Sequence, residues 1–206
     1  MRKTAGEALR VFNGQDGEWL AALDELNKNK AFIKLDRKLL EQKASSDIWV
    51  LASPVKKEAF DLMVEKSCEL GAAKFIPVTC ERTVVHKINQ ERLQAIAIEA
   101  AEQSERLDVM VVESLGNLRK IFNFDGCDRD LIFCVERSGA ASLVDTAKKL
   151  ADKPLAILIG PEGGFSSQEI DLINNFKKTH PVSLGQRILK SETALIAALS
   201  CIQLSH

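Results

Sequence analysis

Apolar and polar positions alternate over short stretches in the first part of the chain, and the rhythm changes near residue 47. EALRVFN (7–13), GEWLAAL (17–23) and AFIKL (31–35) are apolar segments set between clusters of Gly, Asn and Asp. Alternation around turn residues predicts β-hairpins of a small sheet or barrel, and three strands alone are marginal without further cover. LDRKLLEQKASS (35–46) then reads as a polar, flexible link. DIWVLAS (47–53) is a short apolar strand, and Ser53-Pro54 is expected to open a helix, with serine as N-cap and proline in the first helical position. Gly71 is well placed to end that helix in a left-handed cap.

KFIPV is the next strand, and NQERLQAIAIEAAEQSER carries Ala, Ile and Leu on one helical face. The pattern continues as strand VMVVE, a helix near LGNLRKIF, strand LIFCVE, helix SLVDTAKKL, strand LAILIG, helix SSQEIDLINNFKK, strand PVSLG and helix ETALIAALSCIQL. Strands alternating with helices in this way predict βαβ units and a mostly parallel sheet covered by helices. The expected organisation is a β-rich module over residues 1–44 and an α/β domain over 45–206.

Composition narrows the class without changing that picture. The chain has 206 residues, 46% hydrophobic and 28% charged, and its net charge is -1. No global basic field points to a nucleic-acid partner, so a polyanion would have to meet a local patch. The N-terminal module carries 9 Lys/Arg against 7 Asp/Glu. No apolar run is long enough for a membrane span, and the polar start does not read as a secretory signal. The five cysteines form no CxxC pair and the three histidines are dispersed, so no metal site is expected. Buried cysteines of this kind suit a reducing, cytoplasmic setting.

In open α/β sheets ligands bind beyond the carboxyl ends of the strands, and three strand ends here are unusual. The first is Gly160-Pro161-Glu162-Gly163-Gly164-Phe165, after the buried run that ends at Ile159. Pro161 biases Gly160 toward an extended backbone, and Gly163 and Gly164 can take positive φ and bring a ligand against bare backbone. Ser166 and Glu169 form a capping-box pattern that starts the next helix. The loop is neither a P-loop nor GxGxxG, and taken alone it fits a ligand loop and a plain tight turn equally well. The second end, VSLGQRILKSETA (182–194), puts Arg187 and Lys190 beside a loop whose Ile188 and Leu189 could wall a flat ring. The third, FCVERSG (133–139), ends in the ionised pair Glu136-Arg137, which would also serve as a surface salt bridge.

Together these loops resemble a known family. IGPEGGFSSQEI (159–170), followed after a helix and a strand by SLGQRILKSETA (183–194), is similar to the signature of the SPOUT methyltransferases. More narrowly it resembles the RsmE family, the 16S ribosomal RNA (uracil-N3)-methyltransferases. KKEAFDLMVEKSCELG (56–71), FIPVTCERTVV (75–85) and EAAEQSER (99–106) are similar to the family's internal motifs in the same order. The resemblance implies a parallel α/β SPOUT domain with a C-terminal trefoil knot, a small PUA-like β-barrel module that binds RNA, and a homodimer. Members usually carry a further N-terminal segment with a first strand, so the module here is expected to be shortened and the barrel incomplete.

The resemblance also implies the chemistry: S-adenosylmethionine as cofactor, 16S rRNA of the small ribosomal subunit as partner, and methyl transfer to N3 of a uridine. Ile159, Gly160, Pro161, Glu162, Gly163 and Gly164 match one cofactor loop, and Leu184, Gly185, Ile188 and Leu189 match the other. Uracil N3 must lose a proton, which calls for an acceptor and for cations that oppose charge on O2 and O4. Arg137, Glu136 and Glu192 are the catalytic candidates, with Glu162 a further possible acceptor, and nothing in the sequence ranks the carboxylates. Arg82, Arg106 and Arg187 are the expected RNA contacts. A SPOUT enzyme for another RNA position, such as a ribose 2′-oxygen, and a non-catalytic RNA-binding protein remain the alternatives.

Overall fold

Asn13 bends the chain at the first turn, where its side-chain oxygen accepts the amides of Gln15 and Asp16 at 2.9 Å each. The turn joins β1 (Ala8–Phe12) to β2 (Glu18–Leu26), and β3 (Ala31–Leu40) follows. These strands form an open antiparallel sheet in the order β1-β2-β3. The computed structural model describes residues 4–27, 30–43, 46–122, 128–135, 139–151 and 153–205. β3 runs through Leu40 into the stretch expected to be a flexible link, which corrects that expectation. Ladder hydrogen bonds use backbone groups and need no apolar side chains, and β2 partners β3 along its whole length through three register shifts.

The small sheet is tied to the rest of the chain by packing and by hydrogen bonds. Phe12 packs against the larger hydrophobic core. The Gln42 side chain accepts from the Gly17 amide (3.0 Å) and donates to the Leu107 carbonyl (3.4 Å).

The α/β part runs β4 (Ile48–Ala52), α1 (Lys57–Glu69), β5 (Lys74–Thr79), α2 (Gln90–Gln103), β6 (Val111–Val112), β7 (Gly116–Asn117) and α3 (Leu118–Phe122). Then come β8 (Asp130–Cys134), β9 (Ala141–Ser142), α4 (Leu143–Lys149), β10 (Leu155–Ile159), α5 (Ser167–Asn174), β11 (Thr179–Ser183) and α6 (Ser191–Gln203). The strands pair in parallel in the order β6-β5-β4-β10-β8-β11-β9, with β7 also on β5. β10 lies between β4 and β8, and all five of its residues are buried, as a strand covered on both faces requires. Ile157 and Ile159 pack with Phe60, Leu93, Ala147 and Leu199 from α1, α2, α4 and α6. Ala156 and Leu158 face the smaller cluster with Leu118 of α3 and Ile173 of α5.

Helix ends show where local signals hold and where tertiary contacts replace them. α1 closes in a Schellman motif, with Gly71 at φ +81°, its amide on the Cys68 carbonyl and the Ala72 amide on that of Ser67. Its start differs from expectation: the helix begins at Lys57, and Ser53 is no N-cap. The Ser53 amide instead donates to the Ile159 carbonyl (3.1 Å) and its hydroxyl pairs with that of Thr83 (2.7 Å). Ser53 therefore prolongs the alignment of β4 on β10, and the turn is displaced along the chain. The expected capping box of α5 is present in full, Ser166 with Glu169.

Arg106, read from the sequence as an RNA contact, is an internal tie. Its side chain is 8% exposed and ion-paired with Asp108, and its guanidinium donates to the carbonyls of Cys68 (2.5 Å) and Ala72 (3.1 Å) at the end of α1. A cation there adds a charged donor to the turn that closes α1 and opposes the negative end of the helix dipole. Arg106→Ala is expected to destabilise the protein by about 3 kcal/mol, because a buried ion pair and the donors to the Cys68 and Ala72 carbonyls are removed together. Urea unfolding should show a lower midpoint with an unchanged slope. Arg106→Lys should recover little of it, since one ammonium cannot replace the fork.

Candidate functional site

Because the sheet is parallel, the ends of β8, β10 and β11 open on the same side, and β10 brings its glycine loop between its neighbours. There the chain forms a cavity of about 420 Å³, within the usual range for small-molecule sites. Phe133, Cys134 and Val135 come from the end of β8, Ile159, Gly160 and Glu162 to Phe165 from that of β10, and Leu184, Gly185, Arg187 and Leu189 from that of β11. Ser191 and Ala194 at the start of α6, Ile170 of α5 and Arg82 from the loop after β5 complete it.

Most residues singled out in the sequence meet here. Ile159, Gly160, Glu162, Gly163, Gly164, Leu184, Gly185 and Leu189 line the cleft, as do Arg82 and Arg187. Pro161 is buried behind it, and Ile188 points elsewhere, 55% exposed. The aliphatic wall is therefore made by Ile159, Leu184 and Leu189 rather than by the pair Ile188-Leu189. Glu192 sits half-buried in the first turn of α6 and is not part of the lining. Glu136 and Arg137 lie outside the described residues. The third strand end, FCVERSG, stands out in the sequence for its Glu136-Arg137 pair, whereas it is Phe133, Cys134 and Val135 of that stretch that supply the floor from β8.

The four glycines divide into two kinds. A Cβ on Gly160 would lie 2.6 Å from the Phe165 ring, which stacks edge-on against Phe133 with centroids 5.3 Å apart. A Cβ on Gly163 would meet Arg82 at 3.3 Å. Those two positions are bare because the chain packs on itself. Gly164 (φ +68°) and Gly185 (φ +109°) take backbone conformations that favour glycine, and a Cβ on either would meet nothing within 4 Å. Their amides are already engaged, Gly164 with the Pro161 carbonyl (2.9 Å) and Gly185 with the Ser183 hydroxyl (3.2 Å). What they offer the cleft is room for close approach.

The polar groups around the loop are similarly satisfied. Ser191 donates its hydroxyl proton to the Gly160 carbonyl (3.0 Å), joining the start of α6 to the end of β10. Burial pushes the Cys134 thiol up to about 12. The Cys80 thiol is also pushed up to about 12, by burial first and then by the charge of Glu169. Neither is a nucleophile at neutral pH. Among the described residues, no group of three His, Cys, Asp or Glu side chains could hold a metal ion.

Gly160→Ala should cost about 2 kcal/mol by forcing the Phe165 ring off Phe133. Gly164→Ala should cost about 1 kcal/mol through backbone strain alone. Thermal unfolding distinguishes the two causes: adding Phe165→Leu should relieve the first variant and leave the second unchanged.

Known proteins agree with this geometry. Residues 42–203 match the model of an RNA methyltransferase domain and residues 1–36 that of an RNA methyltransferase PUA domain. The chain is 30% identical to ribosomal RNA small subunit methyltransferase E of Rickettsia conorii, covering 99% of this chain and 83% of that protein. It is 32% identical to the protein of the same name from Synechocystis, over 98% of this chain and 67% of that one. The crystal structure of the Neisseria gonorrhoeae protein of that name, bound to S-adenosyl methionine, superposes with a TM-score of 0.87 at 28% identity, over 98% of this chain and 84% of that one. The parallel α/β part has the SPOUT architecture, and the chain belongs to the family of ribosomal RNA small subunit methyltransferase E, the RsmE family.

Proposed function

We propose that the chain is an S-adenosylmethionine-dependent methyltransferase that modifies N3 of a uridine in 16S rRNA of the small ribosomal subunit. It does so in the cytoplasm as a homodimer with the last segments threaded as a trefoil knot. The observation that carries the reading is the cleft at the ends of β8, β10 and β11, which keeps open space at Gly164 and Gly185. The Neisseria relative was solved with that cofactor. Among the described residues no helix is long and apolar enough to cross a membrane.

The residues present fit the cofactor. Ile159, Leu184 and Leu189 give an apolar wall suited to the flat faces of an adenine, and the two open glycines let the ligand approach the backbone closely. The bound group would supply a methyl carried on a sulfonium. The chain's own part is to position the uridine and manage its proton. Because N3 lies on the pairing edge, the base must be presented unpaired. Arg82 and Arg187, both exposed at the rim, are the cations for uracil oxygens and phosphates. Glu162 is the one carboxylate among the described residues that lines the cleft, and it is the assigned acceptor for the N3 proton. The N-terminal sheet, with Arg10, Lys34, Arg37 and Lys38 on β1 and β3, contributes further contacts to RNA backbone.

The test is to incubate the protein with undermethylated small subunits and labelled S-adenosylmethionine and to identify the product nucleoside by mass spectrometry. 3-Methyluridine is expected, and a 2′-O-methylated nucleoside would replace this reading with the other SPOUT chemistry. Gly164→Val and Gly185→Val should both abolish cofactor binding in calorimetry, and unchanged affinity in both would remove the cofactor from this cleft. Glu162→Gln should lower kcat by about 10²-fold or more with cofactor affinity retained.

A further inference from the structure

The glycine loop is braced from the side by Cys80 to Thr83, the turn that follows β5. Glu169, 2% exposed, occupies the third position of α5. Its Oε2 accepts from the Ser166 amide (3.0 Å), which completes the capping box. Its Oε1 leaves the helix and accepts from the Glu81 amide at 2.7 Å, 88 residues away in sequence. The adjacent Arg82 then reaches across and donates from Nη1 to the Gly163 carbonyl (2.9 Å). Thr83 anchors the same turn: its hydroxyl accepts from the Cys80 amide (2.7 Å) and pairs with that of Ser53 (2.7 Å).

Helix capping accounts for only half of this arrangement. A capping box is complete with the Ser166–Glu169 exchange, and the Glu81 bond adds nothing to it. That bond does fix the backbone of the residue preceding Arg82, whose side chain holds the glycine loop. With the Gly163 carbonyl held, the Gly164 amide stays on the Pro161 carbonyl, and the positive φ that leaves the cleft open at Gly164 is retained.

We propose that Glu169 is a positioning residue for the cleft, setting Arg82 through the Glu81 amide so that the glycine loop is preformed for its ligand. The ligand named in the proposed function is the one this preformed loop receives, and the inference rests on that reading. A ligand gains affinity from a site that is already ordered, so loss of the brace appears as weaker binding in addition to the stability lost with the Glu81 bond.

One substitution separates the brace from the cap. Glu81 is the second residue of the turn closed by the Thr83 amide on the Cys80 carbonyl (3.1 Å), a position proline favours. Glu81→Pro therefore removes the donor to Glu169 and leaves the capping box intact, whereas Glu81→Ala keeps the amide and removes only the side chain. Glu81→Pro is expected to weaken S-adenosylmethionine binding about tenfold and to speed hydrogen exchange of the Gly164 amide in the ligand-free protein. Glu81→Ala should do neither, and Glu169→Gln should match the proline variant in both readouts. Equal affinity and equal Gly164 protection in the proline and alanine variants would overturn the proposal. If the wild-type protein bound no S-adenosylmethionine, the cofactor reading would fall, and Gly164 exchange alone would then decide the positioning role.

Discussion

A carboxylate withdrawn from water has to be hydrogen-bonded on both oxygens, because an unpaired buried charge is far costlier than the bonds that would satisfy it. Glu169 meets that requirement by joining two pieces of chain far apart in sequence, the start of α5 and the turn after β5. The glycine loop lies between them. Ser191 holds the carbonyl at the loop's first residue and Arg82 the carbonyl at its fourth. One buried carboxylate thus ties together the two segments that flank the glycine loop.

The sheet makes that convergence possible. β10 enters between β4 and β8, so residues late in the chain arrive beside the end of β4, and Ser53 is hydrogen-bonded to Ile159. Hydrophobic packing on both faces of β10 leaves only its carboxyl end for variation. The flanking loops are then free to carry chemistry on a rigid support. The thiols of Cys80 and Cys134, pushed up by burial, add packing volume there and no reactivity.

Legibility of the fold followed the range of the forces involved. Alternating strand and helix periods, the Schellman glycine at 71 and the capping box at Ser166 are local signals, and each appears where the residues indicate. Ser53-Pro54 carried an equally good local signal and lost to a backbone bond with β10. β3 extended through polar residues because β2 supplied the ladder. In the site, the two signature stretches identified both walls, but side-chain direction within them was not legible. Ile188 and Leu189 are adjacent and equally apolar, yet only Leu189 faces the cleft. Arg106 was indistinguishable from a surface cation until the end of α1 was seen to need it.

The sequence by itself determined the order of elements, the chemical class of the cleft residues and the family to which the chain belongs, since all three rest on patterns a few residues long or on motifs kept intact. Tertiary structure alone decided what each glycine is for. Gly160 and Gly163 are bare because Phe165 and Arg82 occupy the space beside them, while Gly164 and Gly185 are bare toward an open cleft. Gly-Pro-Glu-Gly-Gly-Phe contains all but one of these glycines without distinguishing them, because a missing Cβ acquires meaning only from the atoms that would have met it.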